Sequence, residues 1–172
     1  SAGSSINAAA AFGTTCVGQS AGTSISSGEG NTAVGYLALD ASTNSDFSTA
    51  IGANALSAQT GTTGTVGNTA VGYNAGLSIT TGVANTAIGY LAGDAMNEGH
   101  NNVAVGNGSL GLSTTIGYSV AIGDSAIAAL ATVDGTVAIG ASALAALTSG
   151  AGNTAVGYNS LLTTATGTKN TA

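Results

Sequence analysis

Short runs in which β-branched and small residues alternate recur along this chain, each closed by a glycine. Asn102-Val103-Ala104-Val105-Gly106, Ser119-Val120-Ala121-Ile122-Gly123 and Thr136-Val137-Ala138-Ile139-Gly140 are the plainest. A period of two marks a strand, with Val and Ile on one face and Ala and Gly on the other. Aligning the runs on their glycines gives nine copies, at Gly18, Gly35, Gly52, Gly72, Gly89, Gly106, Gly123, Gly140 and Gly157. Seven of the eight intervals are 17 residues; Gly52 to Gly72 is 20. So strict a short period predicts an all-β parallel solenoid, a β-roll with one coil per repeat.

The opening residue of each run is taken as position 1 and its closing glycine as position 5. The opening residue is Asn in six of ten starts, as at Asn31, Asn68, Asn85, Asn102 and Asn153, and Ser or Thr otherwise. Stacked at one corner, such side chains are expected to form a hydrogen-bonded ladder. Position 2 is Thr in some copies and Val in others, which suits a half-buried site whose hydroxyl is optional. The Ala/Gly face allows close backbone approach and is the expected surface for packing against another chain.

Positions 9 and 12 compensate one another. Gly22, Gly76 and Gly93 are followed three residues later by Ile25, Ile79 and Met96, whereas Leu39, Leu56, Leu110 and Leu161 are followed by Ser42, Gln59, Ser113 and Thr164. Ile127/Leu130 and Leu144/Leu147 are large at both, and no copy is small or polar at both, so one core slot is expected to be shared. Position 8 is always Ala or Ser and implies a tight corner. Positions 13–17, rich in Thr, Gly, Ser and Asn, should form the return turn. The three extra residues before Asn68 fall there and predict a longer surface loop that leaves the stack intact. Ala126-Ile127-Ala128-Ala129-Leu130-Ala131 has helical propensity, but the fixed phase overrides it. The organisation expected is a single repeat domain over 1–172: an irregular N-terminal coil at 1–13, nine repeats over 14–169, and the start of a tenth at 170–172.

Composition narrows the chemistry. Charged residues make up 5% of the chain, with one Lys or Arg (Lys169), one His (His100), one Cys (Cys16) and a net charge of −6. A basic face for nucleic acid cannot be built from one lysine. No apolar run is long enough for a membrane helix, so no membrane insertion by this segment is expected. Cys16 occupies a position that is Ala in other copies and reads as a small buried side chain; His100 lies in a turn and reads as a surface residue. Glu29, Asp46 and Asp134 share position 16, but a calcium-binding repeat pattern is missing and they read as solvated turn carboxylates. Gly28-x-Gly30-x-x-Ala33 and Gly150-x-Gly152-x-x-Ala155 match a loose dinucleotide fingerprint, but they fall on the repeat turn and open no helix in a βαβ unit. The expectation is a non-enzyme with no catalytic, metal or cofactor residues.

Asn-Thr-Ala-Val-Gly-Tyr-Asn-Ala and Ser-Val-Ala-Ile-Gly-Asp-Ser-Ala resemble the head repeats of trimeric autotransporter adhesins and related repeats of phage tail fibres and bacterial surface fibres. The resemblance runs from about Thr14 to Ala172. It implies a left-handed β-roll with three chains side by side, an extracellular place on a bacterial surface or phage virion, and adhesion or host-receptor binding. Neck, stalk and anchor segments of that family are not recognisable here. Tyr36, Tyr73, Tyr90 and Tyr158 all occupy position 6. They form a stripe for a host-surface protein or glycan, or else for the chain–chain interface. The alternative function is a structural spacer or a head-to-tail polymerising subunit of an extracellular filament, since Asn170-Thr171-Ala172 begins a tenth copy. An ice-binding Thr surface ranks behind both, because Val103, Val120 and Val137 interrupt the Thr column.

Overall fold

The computed structural model describes residues 1, 11–60, 64–129, 131–132 and 134–172. Its strands are β1 (Thr15–Val17), β2 (Thr32–Val34), β3 (Ser45–Asp46), β4 (Thr49–Ile51), β5 (Gly64–Thr65), β6 (Thr69–Val71), β7 (Thr86–Ile88), β8 (Val103–Val105), β9 (Val120–Ile122), β10 (Val137–Ile139) and β11 (Thr154–Val156). Nine of them, all but β3 and β5, stack in chain order into one parallel sheet. Every pairing joins equivalent repeat positions, as in Thr32↔Thr49, Ala33↔Ala50 and Val34↔Ile51. The protein is therefore a parallel β-solenoid of 17-residue coils, and no helix occurs among the described residues.

The 20-residue interval does not disturb the stack. β4 pairs with β6 in the same register, Ala50 opposite Ala70, and β3 pairs with β5 on a second side of the coil. The offset between paired residues is 19 at Ser45↔Gly64 and 20 at Thr49↔Thr69, so two of the three extra residues enter before Gly64 and the third between Thr65 and Thr69; residues 61–63 of the expected loop lie outside the described residues. On that second side pairing is otherwise reduced to single bridges, such as His100↔Gly117 and Ser149↔Thr166.

The sense of the strands differs from the expectation for the Ala/Gly face. Ala33, Ala50, Ala70, Ala87, Ala104, Ala121, Ala138 and Ala155, all at position 3, are fully buried inside the coil. The position-8 residues opposite, from Ala21 to Ala143, are also buried. This half of the coil is so narrow that methyl groups fill it, leaving no free small-residue face. The β-branched residues of positions 2 and 4 point outward instead, and Ile51, Ile88, Ile122 and Ile139 are 37–39% exposed. The surface available for association is therefore the Thr/Val/Ile face.

The other half of the core is the shared slot. Leu39, Leu56, Leu110, Ile127 and Leu144 fill it from position 9, and Ile25, Ile79, Met96 and Leu147 from position 12. Leu130, the partner of Ile127, lies outside the described residues. A Cβ on Gly76 would sit 2.9 Å from Leu56 Cδ2 and 3.0 Å from Ile79 Cδ1, so the slot already holds its one large side chain. Gly76→Leu is expected to cost about 1–3 kcal/mol through overpacking, and Ile79→Ser in the same chain to restore most of it. Denaturation midpoints of the two single variants and the double variant give this coupling directly.

Bending a coil this tightly while keeping every amide paired up and down the stack forces left-handed backbone at fixed places. Position 7 has positive φ in every copy, including Leu37 at 53° and Leu91 at 55°, and so does position 9, including Leu56 at 51° and Ile127 at 49°. Leu91 N donates to Tyr73 O at 3.0 Å in the preceding coil, and Leu110 N to Ala126 O at 3.0 Å in the following one. Non-glycine residues rarely adopt this conformation, and β-branched ones least of all. Here intercoil bonds repeated along the whole stack hold them in it.

Candidate functional site

Each coil turns sharply after its strand, at the position-5 glycine, where φ lies between 126° and 139°. The next residue, position 6, is thrown onto the outer corner beside the β-branched face. Its carbonyl accepts the position-7 amide of the next coil, as with Asn54 N to Tyr36 O at 2.8 Å and Asn74 N to Ala53 O at 3.0 Å. Side chains at this corner are thereby fixed at one coil spacing, about 4.8 Å. Read along the stack, the column is Gln19, Tyr36, Ala53, Tyr73, Tyr90, Asn107, Asp124, Ala141 and Tyr158.

Tyr73 and Tyr90 stand on neighbouring coils and stack, with ring centroids 5.4 Å apart and planes inclined by 14°. Both rings are about half exposed, as is Tyr36, and Tyr158 is more exposed still. The column thus presents aromatic faces and edges to the exterior. Further along, Asn107 Nδ2 donates to Asp124 Oδ2 at 2.7 Å and Ser125 Oγ to Asp124 Oδ1 at 3.0 Å. These bonds, the one from Asn107 foremost, hold the Asp124 carboxyl below the usual carboxylate range.

The asparagines of position 1 lie on the inner side. Asn31, Asn68, Asn85, Asn102 and Asn153 are buried. Asn85 Nδ2 donates to Gly99 O at 2.6 Å and to Asn68 Oδ1 at 3.2 Å, while Asn85 Oδ1 accepts from Asn102 N at 3.1 Å. Where the corner residue is Ser48, a residue from elsewhere in the coil steps in. Gln59 is fully buried, donates from Nε2 to Ser48 Oγ at 3.0 Å, and accepts Asn68 Nδ2 at 2.9 Å. Sequence reasoning missed this role; its signal was a large polar residue at position 12 in a copy whose position 1 is not Asn.

The remaining reactive groups are dispersed. Cys16, half-buried on β1, has its thiol pushed up by burial, which keeps it protonated. His100 lies four coils further along, about 19 Å at one strand spacing per coil, and packs edge-on against Tyr118 with ring centroids 5.2 Å apart. That aromatic pair, at positions 16 and 17, was also not anticipated. Asp46 Oδ1 accepts Glu29 N at 2.8 Å, and Asp134 Oδ1 accepts Gly117 N at 2.7 Å, so these turn carboxylates tie coils together. Burial raises the Asp40 and Asp94 carboxyls, with backbone hydrogen bonds acting in the opposite direction. Among the described residues no cavity opens and no three His, Cys, Asp or Glu side chains converge. Recognition by this surface would have to use what is exposed, namely the outward β-branched face and the tyrosine corner. Set beside known proteins, the chain matches no family model, no curated protein and no solved structure.

Proposed function

We propose that this chain is a non-enzymatic segment of an extracellular fibre, on a bacterial surface or a phage virion, that contributes adhesion or receptor binding through its tyrosine corner. The observation carrying the reading is the Tyr73–Tyr90 stack, held half-exposed on a backbone that hydrogen-bonds to both neighbouring coils. Aromatic side chains on a rigid scaffold offer contact area at small entropic cost, which is what a binding surface needs. In this reading copies pack side by side, three about an axis and left-handed as in the family that the repeats resemble. They do so through the outward Thr/Val/Ile face, a contiguous apolar surface of the kind that marks association sites.

A second reading has an observation of its own. The outward face runs without a charged side chain along all nine rungs, as a spacer or filament built only to associate would require. Replacing both Tyr73 and Tyr90 with Ala separates the two. The adhesive reading expects loss of binding to host cells, scored by flow cytometry, with the molar mass from light scattering unchanged. Unchanged cell binding, or a change of mass, supports the structural reading.

A further inference from the structure

The position-6 column contains a break of one coil in its aromatic stack. Tyr36 and Tyr73 flank the coil of Ala53, whose side chain is a single methyl group. Because Tyr73 stacks on Tyr90, one coil further on, its opposite face is turned towards the Ala53 coil. The backbone spacing is unbroken there, with Asn54 N bonded to Tyr36 O and Asn74 N to Ala53 O. Tyr36 and Tyr73 are therefore two coil steps apart, about 9.6 Å. Between these two half-exposed tyrosines the column drops to the Ala53 methyl group, a surface notch one coil wide that encloses no cavity.

We infer that this notch binds one neutral pyranose ring of a glycan, sandwiched between Tyr36 and Tyr73. The inference rests on the adhesive reading above and names its ligand class. Three observations select it. First, a flat aromatic guest touching both rings needs only about 7–8 Å, whereas a puckered saturated ring with C–H bonds on both faces takes up the remaining ~2 Å. Secondly, amide groups adjoin the notch in sequence: Asn54 Nδ2 donates to Asn74 Oδ1 at 3.0 Å. Asn54 Oδ1 and the Asn74 amino group thus remain available, among the described residues, for sugar hydroxyls. Thirdly, the chain carries a net charge of −6 and its lone Lys169 lies five coils beyond Tyr73, which disfavours acidic sugars.

The test is saturation-transfer NMR on the intact chain with methyl pyranosides of glucose, galactose, mannose and N-acetylglucosamine. At least one is expected to show transfer to its ring C–H protons. Ala53→Tyr, which completes the stack with a residue type already present on both sides, should weaken that ligand about tenfold by closing the notch. Tyr36→Ala should weaken it comparably, and Ala141→Tyr, five coils beyond Ala53 in the same column, should leave it unchanged. Circular dichroism verifies folding, and Ala141→Tyr serves as a second chain with an added ring elsewhere in the column. Pyranoside binding that survives both Ala53→Tyr and Tyr36→Ala overturns the inference. So does transfer to p-cresol or indole but to none of the sugars, which would assign the notch to an aromatic side chain. If cell binding depends on Tyr73 and Tyr90 yet no pyranoside binds, the notch inference fails while the adhesive reading stands.

Discussion

Gly89→Ala is expected to destabilise the fold by on the order of 3–5 kcal/mol, the sum of backbone strain and a steric clash that cannot relax. Gly89 has φ of 134°, and a Cβ there would lie 2.7 Å from Gly106 O and 2.8 Å from Gly106 C in the following coil. Gly106 is held on both sides of those atoms, since its N donates to Ile88 O at 2.8 Å in the preceding coil and its O accepts Ser109 Oγ at 3.1 Å, so it cannot move aside without breaking these bonds. Gly157 provides the internal comparison. Its φ is 133°, yet the nearest atom to an added Cβ is Ser160 Cβ at 4.0 Å. Gly157→Ala should therefore show the conformational cost alone, about 1–3 kcal/mol. The difference between the two variants isolates the stacking clash, read from chemical denaturation followed by circular dichroism. A solenoid's stability is close to a sum of coil and nearest-neighbour terms. Weakening one interface in mid-stack should thus also split unfolding into two transitions for Gly89→Ala, and not for Gly157→Ala. Equal destabilisation by the two substitutions would mean that the glycine column serves backbone conformation only.

The phase of the repeat was legible because stacking aligns equivalent residues. Once the glycines were set in register, the pairings Ala33↔Ala50 and Ala50↔Ala70 followed, even across the longer interval. The shared core slot was legible for a related reason: volume must be conserved from coil to coil, so Gly76 with Ile79 and Leu56 with Gln59 betray one another. What alternation cannot supply is which face of a strand is inside. Ala is an ordinary residue for close contact between chains, and only the narrowness of the coil, filled here by the methyl groups of Ala70 and Ala75, turns that face inward. The left-handed residues were hidden more deeply. Leu37, Phe47, Tyr118 and Ile127 are poor choices for positive φ on local grounds, and only intercoil hydrogen bonding compels it. A signal was nevertheless present in the company they keep, because position 7 is elsewhere Ser, Asn or Gly and the last position of the repeat is Gly in four copies. At the candidate site the tyrosine column could be read from the period, whereas the mutual stacking of Tyr73 and Tyr90 depends on rotamers that no sequence pattern specifies.

The other large effect is expected at Asn85, where the inner ladder leaves no spare partners. Asn85→Ala orphans the buried carbonyl of Gly99 and the buried amide of Asn102, each costing about 1–3 kcal/mol, so the variant should lose roughly 2–6 kcal/mol. Serine should cost less. At the same position Ser119 Oγ accepts Thr136 N at 3.1 Å, so a hydroxyl can meet the need of the next coil's amide, while its own proton goes to Gly117 O two residues back and not to a carbonyl equivalent to Gly99 O. Asn85→Asp is expected to be the most damaging at neutral pH, although it is the closest in shape. It removes the Nδ2 donor and sets a buried carboxylate against the Gly99 carbonyl, which raises the folded-state pKa of the new group above its unfolded value. For an acid shifted in that direction, the penalty is fully present above the folded-state pKa and is relieved as pH falls through it, because the protonated group can donate again. Denaturation midpoints should therefore rank Ser above Ala above Asp at pH 7. On acidification Asp alone should recover relative to the parent chain, and a pH-independent penalty for Asp would show that the ladder holds Asn85 by shape and not by its amide.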